Sequence, residues 1–375
     1  MARQEQMRDQ NLAVALRSIV EAVAPLSRAQ VAAQTGLARA TVTGLVDQLV
    51  DAGLVRELEP TQTQRAGRPA VPLVAQPGTV AGIGMEVNVD YLGVLVLDLS
   101  GQVLAEHVEF DDLRDSDPAT VLGRLAQIAD DAVAALDRVT VAGSVLALPG
   151  LVDRVTGPLR FAPRLGWRDV DVLAMLERPG LRLANEANLA ARAEAHERRG
   201  GSFVYVSGEV GIGGAIVLDG ELFRGRRGWS GEIGHIQVDG VPLEEQAGQD
   251  AMLRNAGIAP TGRLEVLLGA LESRDPDAER AVAQAGRALG TALGAAVNVV
   301  DVDEVVLGGT FGRLYDHVRG PVQEQLDASV IFAPWAPLTV SRARAGAHPA
   351  MKGAALAVLS GVLADPGQWL RDSRP

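Results

Sequence analysis

Cysteine is absent from the 375 residues, which excludes disulfides, thiolate metal sites and a cysteine nucleophile. Aromatic residues make up only 3% of the chain, so packed interiors must be built from Ala, Val and Leu. Lysine occurs once, at Lys352, and arginine carries the rest of the positive charge. No apolar run approaches ~18 residues, so no membrane-spanning helix is expected. The polar opening MARQEQMRDQ lacks the apolar stretch of a secretory signal. A cytoplasmic protein with no membrane association is the expectation. What the chain has in quantity is apolar, at 47% hydrophobic residues, in a length that suggests two or three domains.

The net charge of −12 is unevenly placed. Residues 1–70 hold eight arginines against seven acids, a net of +1, and the remainder carries −13. The acidity lies outside the first 70 residues, so it does not exclude an anionic partner there.

Residues 27–55 read SRAQVAAQTGLARATVTGLVDQLVDAGLV. Leu12, Leu16, Ile19, Val20 and Val23 recur at helical spacing before Pro25, which predicts a first helix. Ser27 is a candidate N-cap for a short helix from Arg28 to Thr35. Gly36 supplies a turn, and Val42, Leu45, Val46 and Leu49 mark the inner face of a third helix from about Ala38 to Gly53. Leu54–Glu57 and Val71–Ala75 read as two strands around the polar stretch EPTQTQRAGRP. Helices followed by such a hairpin make a winged helix-turn-helix. Ser27, Arg28, Arg39, Thr41 and Thr43 are the candidate DNA contacts of its helices. Arg pairs bidentately with guanine, and Thr meets phosphates or a thymine methyl. Arg65 and Arg68, the latter in Gly67-Arg68-Pro69, are candidates for minor-groove contact from the wing.

Beyond a junction at Gln76–Thr79, the pattern alternates strands with helices. Val80–Asp98 and Val103–Phe110 flank the turn at Ser100–Gly101 as a hairpin would. Pro118–Leu136 is helical, Val139–Ala147 and Leu181–Ala184 are strands, and Asn188–Arg199 is a helix. Ser202–Ser207 with Ala215–Leu218 makes a second hairpin, and the Ala-rich helix Ala278–Val299 feeds the strand Glu304–Leu307. Strand, turn and helix units repeated twice predict an α/β protein with two related lobes. The expected division is 1–76 for the winged helix and 80–375 for the rest. The first lobe takes about 80–184 plus the C-terminal helix, and the second about 185–345.

Two clusters suit a polar ligand. Asn185-Glu186-Ala187-Asn188 follows a strand and opens a helix, and Glu232-Ile233-Gly234-His235 follows a Gly-rich hairpin. Carboxylates and amides in such places can accept and donate hydrogen bonds to hydroxyls. Taken alone, Glu and Asn in such places are more often structural caps, and a lone His is usually a surface or core residue.

The order of these segments resembles the ROK family of repressors and sugar kinases, in particular its xylose and N-acetylglucosamine repressor branch. The resemblance is carried by Gly211-Ile212-Gly213-Gly214, Gly220, Gly225, Gly228 and Gly231-Glu232-Ile233-Gly234-His235. Leu148-Pro149-Gly150-Leu151-Val152-Asp153, Leu165-Gly166-Trp167, Asn185-Glu186-Ala187-Asn188 and Val306-Leu307-Gly308-Gly309 add to it. It implies a two-lobed actin-like ATPase fold, related to ribonuclease H, with a sugar cleft lined by Asn185, Glu186, Glu232 and His235. Glu244 matches a further sugar-contacting Glu, and Arg164 stands where the family has Asn. An Arg there favours an anionic ligand or pairs with a cleft carboxylate.

Three departures from the kinase pattern shape the expectation. The phosphate loop Asp-x-Gly-Gly-Thr is replaced by Glu86-Val87-Asn88-Val89-Asp90, which lacks both glycines and adds an acid. The general-base Asp is replaced by Glu186. The family zinc site, a His with three cysteines, has no cysteine to form it. The expected function is therefore a sequence-specific DNA-binding regulator, a repressor. It would sense a sugar or sugar-like ligand without phosphorylating it, and act as a homodimer or homotetramer on operator DNA with neither zinc nor ATP. A ROK-type sugar kinase and a constitutive DNA-binding regulator with a degenerate pocket are the alternatives.

Overall fold

Ser27 fixes where the second helix of the N-terminal unit begins. In the computed structural model, which describes residues 2–60, 70–153, 158–178, 180–208, 211–259 and 263–372, α1 spans Ala2–Val20, α2 Arg28–Thr35 and α3 Arg39–Asp51. The Gln30 amide donates to Ser27 Oγ (3.4 Å), and the Ser27 amide donates back to Gln30 Oε1 (2.8 Å). This is a capping box. Gly36, at φ 73°, ends α2 in the left-handed region that an L side chain resists. Leu12, Leu16, Val31, Val42, Val46 and Leu49 close the core between the helices. Leu26–Ser27, Pro72–Ala75 and Val55–Glu57 form a three-stranded sheet, with Pro72–Ala75 in the middle. The expected first helix is one turn too long at its end. It stops at Val20, and Val23 is 81% exposed because Pro25 already withdraws the chain from helical geometry.

Two five-stranded sheets follow, and they share one topology. In the first, Val80–Val87, Tyr91–Asp98 and Val103–Phe110 form an antiparallel meander. Thr140–Leu148 pairs parallel to Val80–Val87, and Arg182–Asn185 pairs parallel to Thr140–Leu148. In the second, Phe203–Gly208, Ile212–Leu218 and Glu221–Leu222 form the meander. Glu304–Gly308 and then Thr339–Arg342 extend it in parallel. Each sheet has the strand that comes first in sequence at its centre, which is the repeat expected from the alternating pattern. The expected single arm Val80–Asp98 is two strands, split by a turn in which the Asn88 amide donates to the Tyr91 carbonyl (2.8 Å).

Two helices lie between the sheets. Glu186–Arg198 and Pro349–Ala364 share an apolar core with Val145, Ala147, Phe203, Tyr205 and Val306. The close approach of Pro349–Ala364 to the first sheet and to Glu186–Arg198 depends on missing side chains. A Cβ on Gly84 would lie 1.9 Å from the Met351 carbonyl oxygen, and one on Gly353 would lie 1.8 Å from that of Leu189. Pro118–Ala134 covers the outer face of the first sheet through Val121, Leu122, Leu125 and Ile128. In the second lobe, Pro276–Val300 packs on Tyr315–Ser329.

The N-terminal unit is not a separate body on a string. Its core continues through Val80, Leu95, Leu97, Met351, Ala355, Leu359 and Val362. The winged helix therefore sits on the C-terminal helix and the first sheet through one apolar cluster.

Candidate functional site: an interlobe cleft and a helix-turn-helix surface

β-Strand ends and glycines build the cleft. The run Gly211–Gly214 enters the strand Ile212–Leu218, and its bare backbone admits neighbours on every side. A Cβ on Gly213 would stand 2.9 Å from Ala187 Cβ, one on Gly214 2.6 Å from Ile233 Cδ1, and one on Gly211 2.7 Å from Glu244 Oε2. The same strand thus gathers the helix start at Glu186, the segment Glu232–His235 and Glu244. Gly234 completes the arrangement, since a Cβ there would meet the Ile212 carbonyl at 2.4 Å.

Asn185 is the N-cap of Glu186–Arg198. Its Oδ1 accepts from the Asn188 amide (3.1 Å), and its Nδ2 donates to the Gly150 carbonyl (3.1 Å). Both amide ends serve to join the helix start to the Pro149-Gly150 turn. Glu186 is the first helical residue, half-buried. Glu232 and His235 keep exposed faces, as groups that meet a hydroxylated ligand must. The surrounding protein nevertheless pushes the Glu232 pKa above the usual carboxylate value. Desolvation is the main cause, with His235 lowering it and Glu244 raising it further. Glu244 Oε2 accepts from the Ile212 amide (3.1 Å).

Arg164 resolves between its two expected roles in favour of pairing. From the short turn Pro163–Leu165 in the first lobe it reaches Asp250 (3.2 Å) and Glu244 (3.6 Å) in the second. The guanidinium is a charged strap across the cleft. Asp250 was not legible as its partner because 86 residues separate them.

Beside this strap opens a cavity of about 740 Å³, lined by Asn88, Asp90, Ser207, Asp250, Thr310 and Pro349 among others. Its floor includes the turn Gly308-Gly309. The φ of 51° at Gly309 and the nearness of the Tyr205 hydroxyl to Gly308 both demand glycine. In the Asn88–Asp90 turn the Val89 amide donates to Asn88 Oδ1 (2.6 Å), so that amide is already taken. Asp90 adds a carboxyl, whose pKa is raised chiefly by burial. A phosphate group does not fit a turn with an occupied amide and an acid. The segment after His235 is a tight hairpin, Gln237–Val238 with Val241–Pro242, leading into the helix Leu243–Ala247. It supplies no thiolate, so the donor set does not fit a His–Cys zinc site.

On the helix-turn-helix, Arg39, Thr41 and Thr43 are exposed on the first turns of α3. Thr43 Oγ1 also donates to the Arg39 carbonyl (3.0 Å). Ser27 is nearly buried in its capping box. Arg28 spans Asp47 on α3 (2.6 Å) and Glu57 on the strand that follows. These two residues hold the motif in shape through these bonds. Arg65 and Arg68 lie outside the described residues.

The ROK family profile matches residues 82–360. The chain belongs to the ROK family. Residues 12–59 match the IclR helix-turn-helix domain, which accounts for α1 to α3. The chain is 27% identical over 384 residues to the DNA-binding transcriptional dual regulator NagC of Escherichia coli K12, covering 93% of each chain. It is 28% identical over 223 residues to the xylose repressor of Bacillus subtilis, a match spanning 57% of either chain, so only about half of that relative's length is covered. Among solved structures, a ROK family transcriptional regulator described as a homologue of the E. coli MLC protein shares the fold. Its TM-score is 0.76 at 24% identity, over 96% of this chain and 97% of that one.

Glu194 escaped the sequence reading altogether. Fully buried, it accepts from the Arg344 amide (2.7 Å) and the Ala345 amide (3.0 Å), and pairs with Arg198 (2.6 Å). It ties the interlobe helix to the cleft wall at Ala345. Its two amide partners lie 150 and 151 residues on, where no local pattern points.

Proposed function

We propose that this ROK protein is a DNA-binding transcriptional repressor whose two-lobed part senses a sugar or sugar-like ligand without phosphorylating it. The observation that carries the reading is a single helix with two duties. Pro349, at the start of Pro349–Ala364, lines the cleft, while Met351, Ala355, Leu359 and Val362 belong to the core that holds the winged helix. A ligand that changes the angle between the lobes moves this helix and, with it, the DNA-reading surface. The names of the E. coli and Bacillus relatives support the same reading.

Glu232 and His235 hold ligand hydroxyls, with Asn185, Glu186 and Glu244 around them. Arg164 keeps the lobes strapped until a ligand competes for Glu244 and Asp250. Arg39, Thr41 and Thr43 read the major groove, and Arg65 and Arg68 reach the minor groove from the wing. One winged helix reads one half-site, so the protein acts as a symmetric dimer or tetramer in the cytoplasm. The acid and the occupied amide in the Asn88–Asp90 turn support a cleft that works without ATP, and the missing thiolates support one without zinc.

Glu232→Ala and His235→Ala are expected to keep DNA affinity within about twofold while abolishing release by the effector. Electrophoretic mobility shifts with and without effector measure both. Normal release in both variants removes these residues from the ligand site.

A further inference from the structure

A second cavity, of about 300 Å³, opens away from the cleft, between the edge strand Arg182–Asn185 of the first sheet and the edge strand Glu221–Leu222 of the second. Arg164, Glu186, Glu232, His235 and Glu244 do not line it; Asn185, which caps the interlobe helix, does. Leu173, Leu181, Leu189 and Leu222 give it aliphatic walls. Arg182 and Arg224 stand at it, and Asn188 reaches it from the interlobe helix.

The polar groups are incompletely matched. Arg182 donates to the Ala357 carbonyl (2.9 Å). Among the described residues, no ion pair or side-chain hydrogen bond engages Arg224. Nor does one engage Arg192, four residues beyond Asn188 on the same helix, whose buried Nε has no partner. Burial and the nearby Arg224 charge depress the pKa of both Arg182 and Arg192, and Glu221 offsets this only at Arg192. The acid that lines the cavity, Asp153, is already engaged by Arg227 (3.5 Å) and Arg160 (3.7 Å). Asn188 is 8% exposed, and its Oδ1 has no hydrogen-bond partner.

Two guanidinium groups set close together beside apolar walls, with no carboxylate among the described residues engaging them, are matched by an anion through charge-assisted hydrogen bonds. The unpartnered amide oxygen accepts from a ligand hydroxyl. The leucine walls suit a hydrocarbon body rather than bare phosphate, and the volume is at the small end for ligand sites. We infer that this cavity binds a small hydroxy-carboxylic acid with an apolar, ring-sized body, its carboxylate between Arg182 and Arg224 and its hydroxyl at Asn188. Ala357 belongs to the helix that carries the winged helix, so the acid is a second input to DNA binding. That consequence rests on the regulator reading; binding itself does not.

Isothermal titration of the full chain with 4-hydroxybenzoate, mandelate and phenyllactate tests the inference. Saturable one-to-one binding of at least one acid is expected, with Arg224→Gln and Arg182→Gln each weakening it about tenfold. 4-Hydroxybenzyl alcohol and inorganic phosphate should bind at least about tenfold more weakly than the acid. Arg182→Lys, which keeps the charge, guards against loss of fold and should retain binding. Heat from none of the three acids, equal binding of phosphate, or unchanged affinity in both Gln variants overturns it.

Discussion

Arg164 and Arg28 use their charge alike, each guanidinium spanning two carboxylates on separate elements. Arg39 does neither: it is exposed at the start of α3, the position from which a side chain enters the major groove. Arg39→Ala should weaken specific DNA binding by about 1–3 kcal/mol and relax the preference at one base position. Fluorescence anisotropy on single-base variants of the site would show it, and an unchanged profile would remove Arg39 from the reading surface. His348 answers to pH instead. Burial pushes its pKa below the ordinary 6.5 against attraction from Glu106. Between the lowered value and 6.5 the unfolded chain holds more protons, so stability rises with pH through that window and falls on acidification. His196 has the same sign. The Tm should drop as pH falls from about 7 to about 5, less steeply in His348→Gln; an identical slope in the variant contradicts this. Ser27 was legible as a cap because its partner Gln30 is three residues away. Glu194 and Asp250 were not, because the Arg344 and Ala345 amides that hold the one and the Arg164 that meets the other come from distant parts of the chain.

Helices and strands were mostly legible because apolar spacing sets them locally. The turn at Asn88–Asp90 was missed for a physical reason. Val87 and Val89 are both buried, so the apolar alternation runs through the break and nothing in the pattern marks it. Glycine in helix interiors was equally silent. In Pro276–Val300, Gly286, Gly290 and Gly294 recur every four residues, and a Cβ on them would meet Pro321, Gln325 and Ser329 at 3.0, 2.7 and 2.3 Å. A contact between elements far apart in sequence has no local trace. Gly353→Ala forces Pro349–Ala364 off Glu186–Arg198 and should cost about 1–3 kcal/mol. Because that helix also carries the winged helix, the variant should bind DNA with altered response to effector. Thermal unfolding indistinguishable from the parent would show that the two helices are not closely packed there.

At the scale of the molecule, two sheets of one topology enclose two helices, and one of these is continuous with the core of the N-terminal helix-turn-helix unit. The two-lobed plan followed from the repeated pattern, and the winged helix from its caps and turn. The shared core could not be read in advance, since Met351 and Val362 look like any buried positions of a C-terminal helix. By linkage, a ligand that weakens DNA binding is itself weakened by DNA to the same extent. The measurement that bears most directly on this account is an anisotropy titration of labelled DNA from upstream of the protein's own gene. It is run at fixed salt, with unrelated DNA as reference and a panel of sugars and sugar acids. The account predicts binding well above that of unrelated DNA and its release by a member of the panel. Binding no tighter than to unrelated DNA, or specific binding indifferent to every compound, contradicts it.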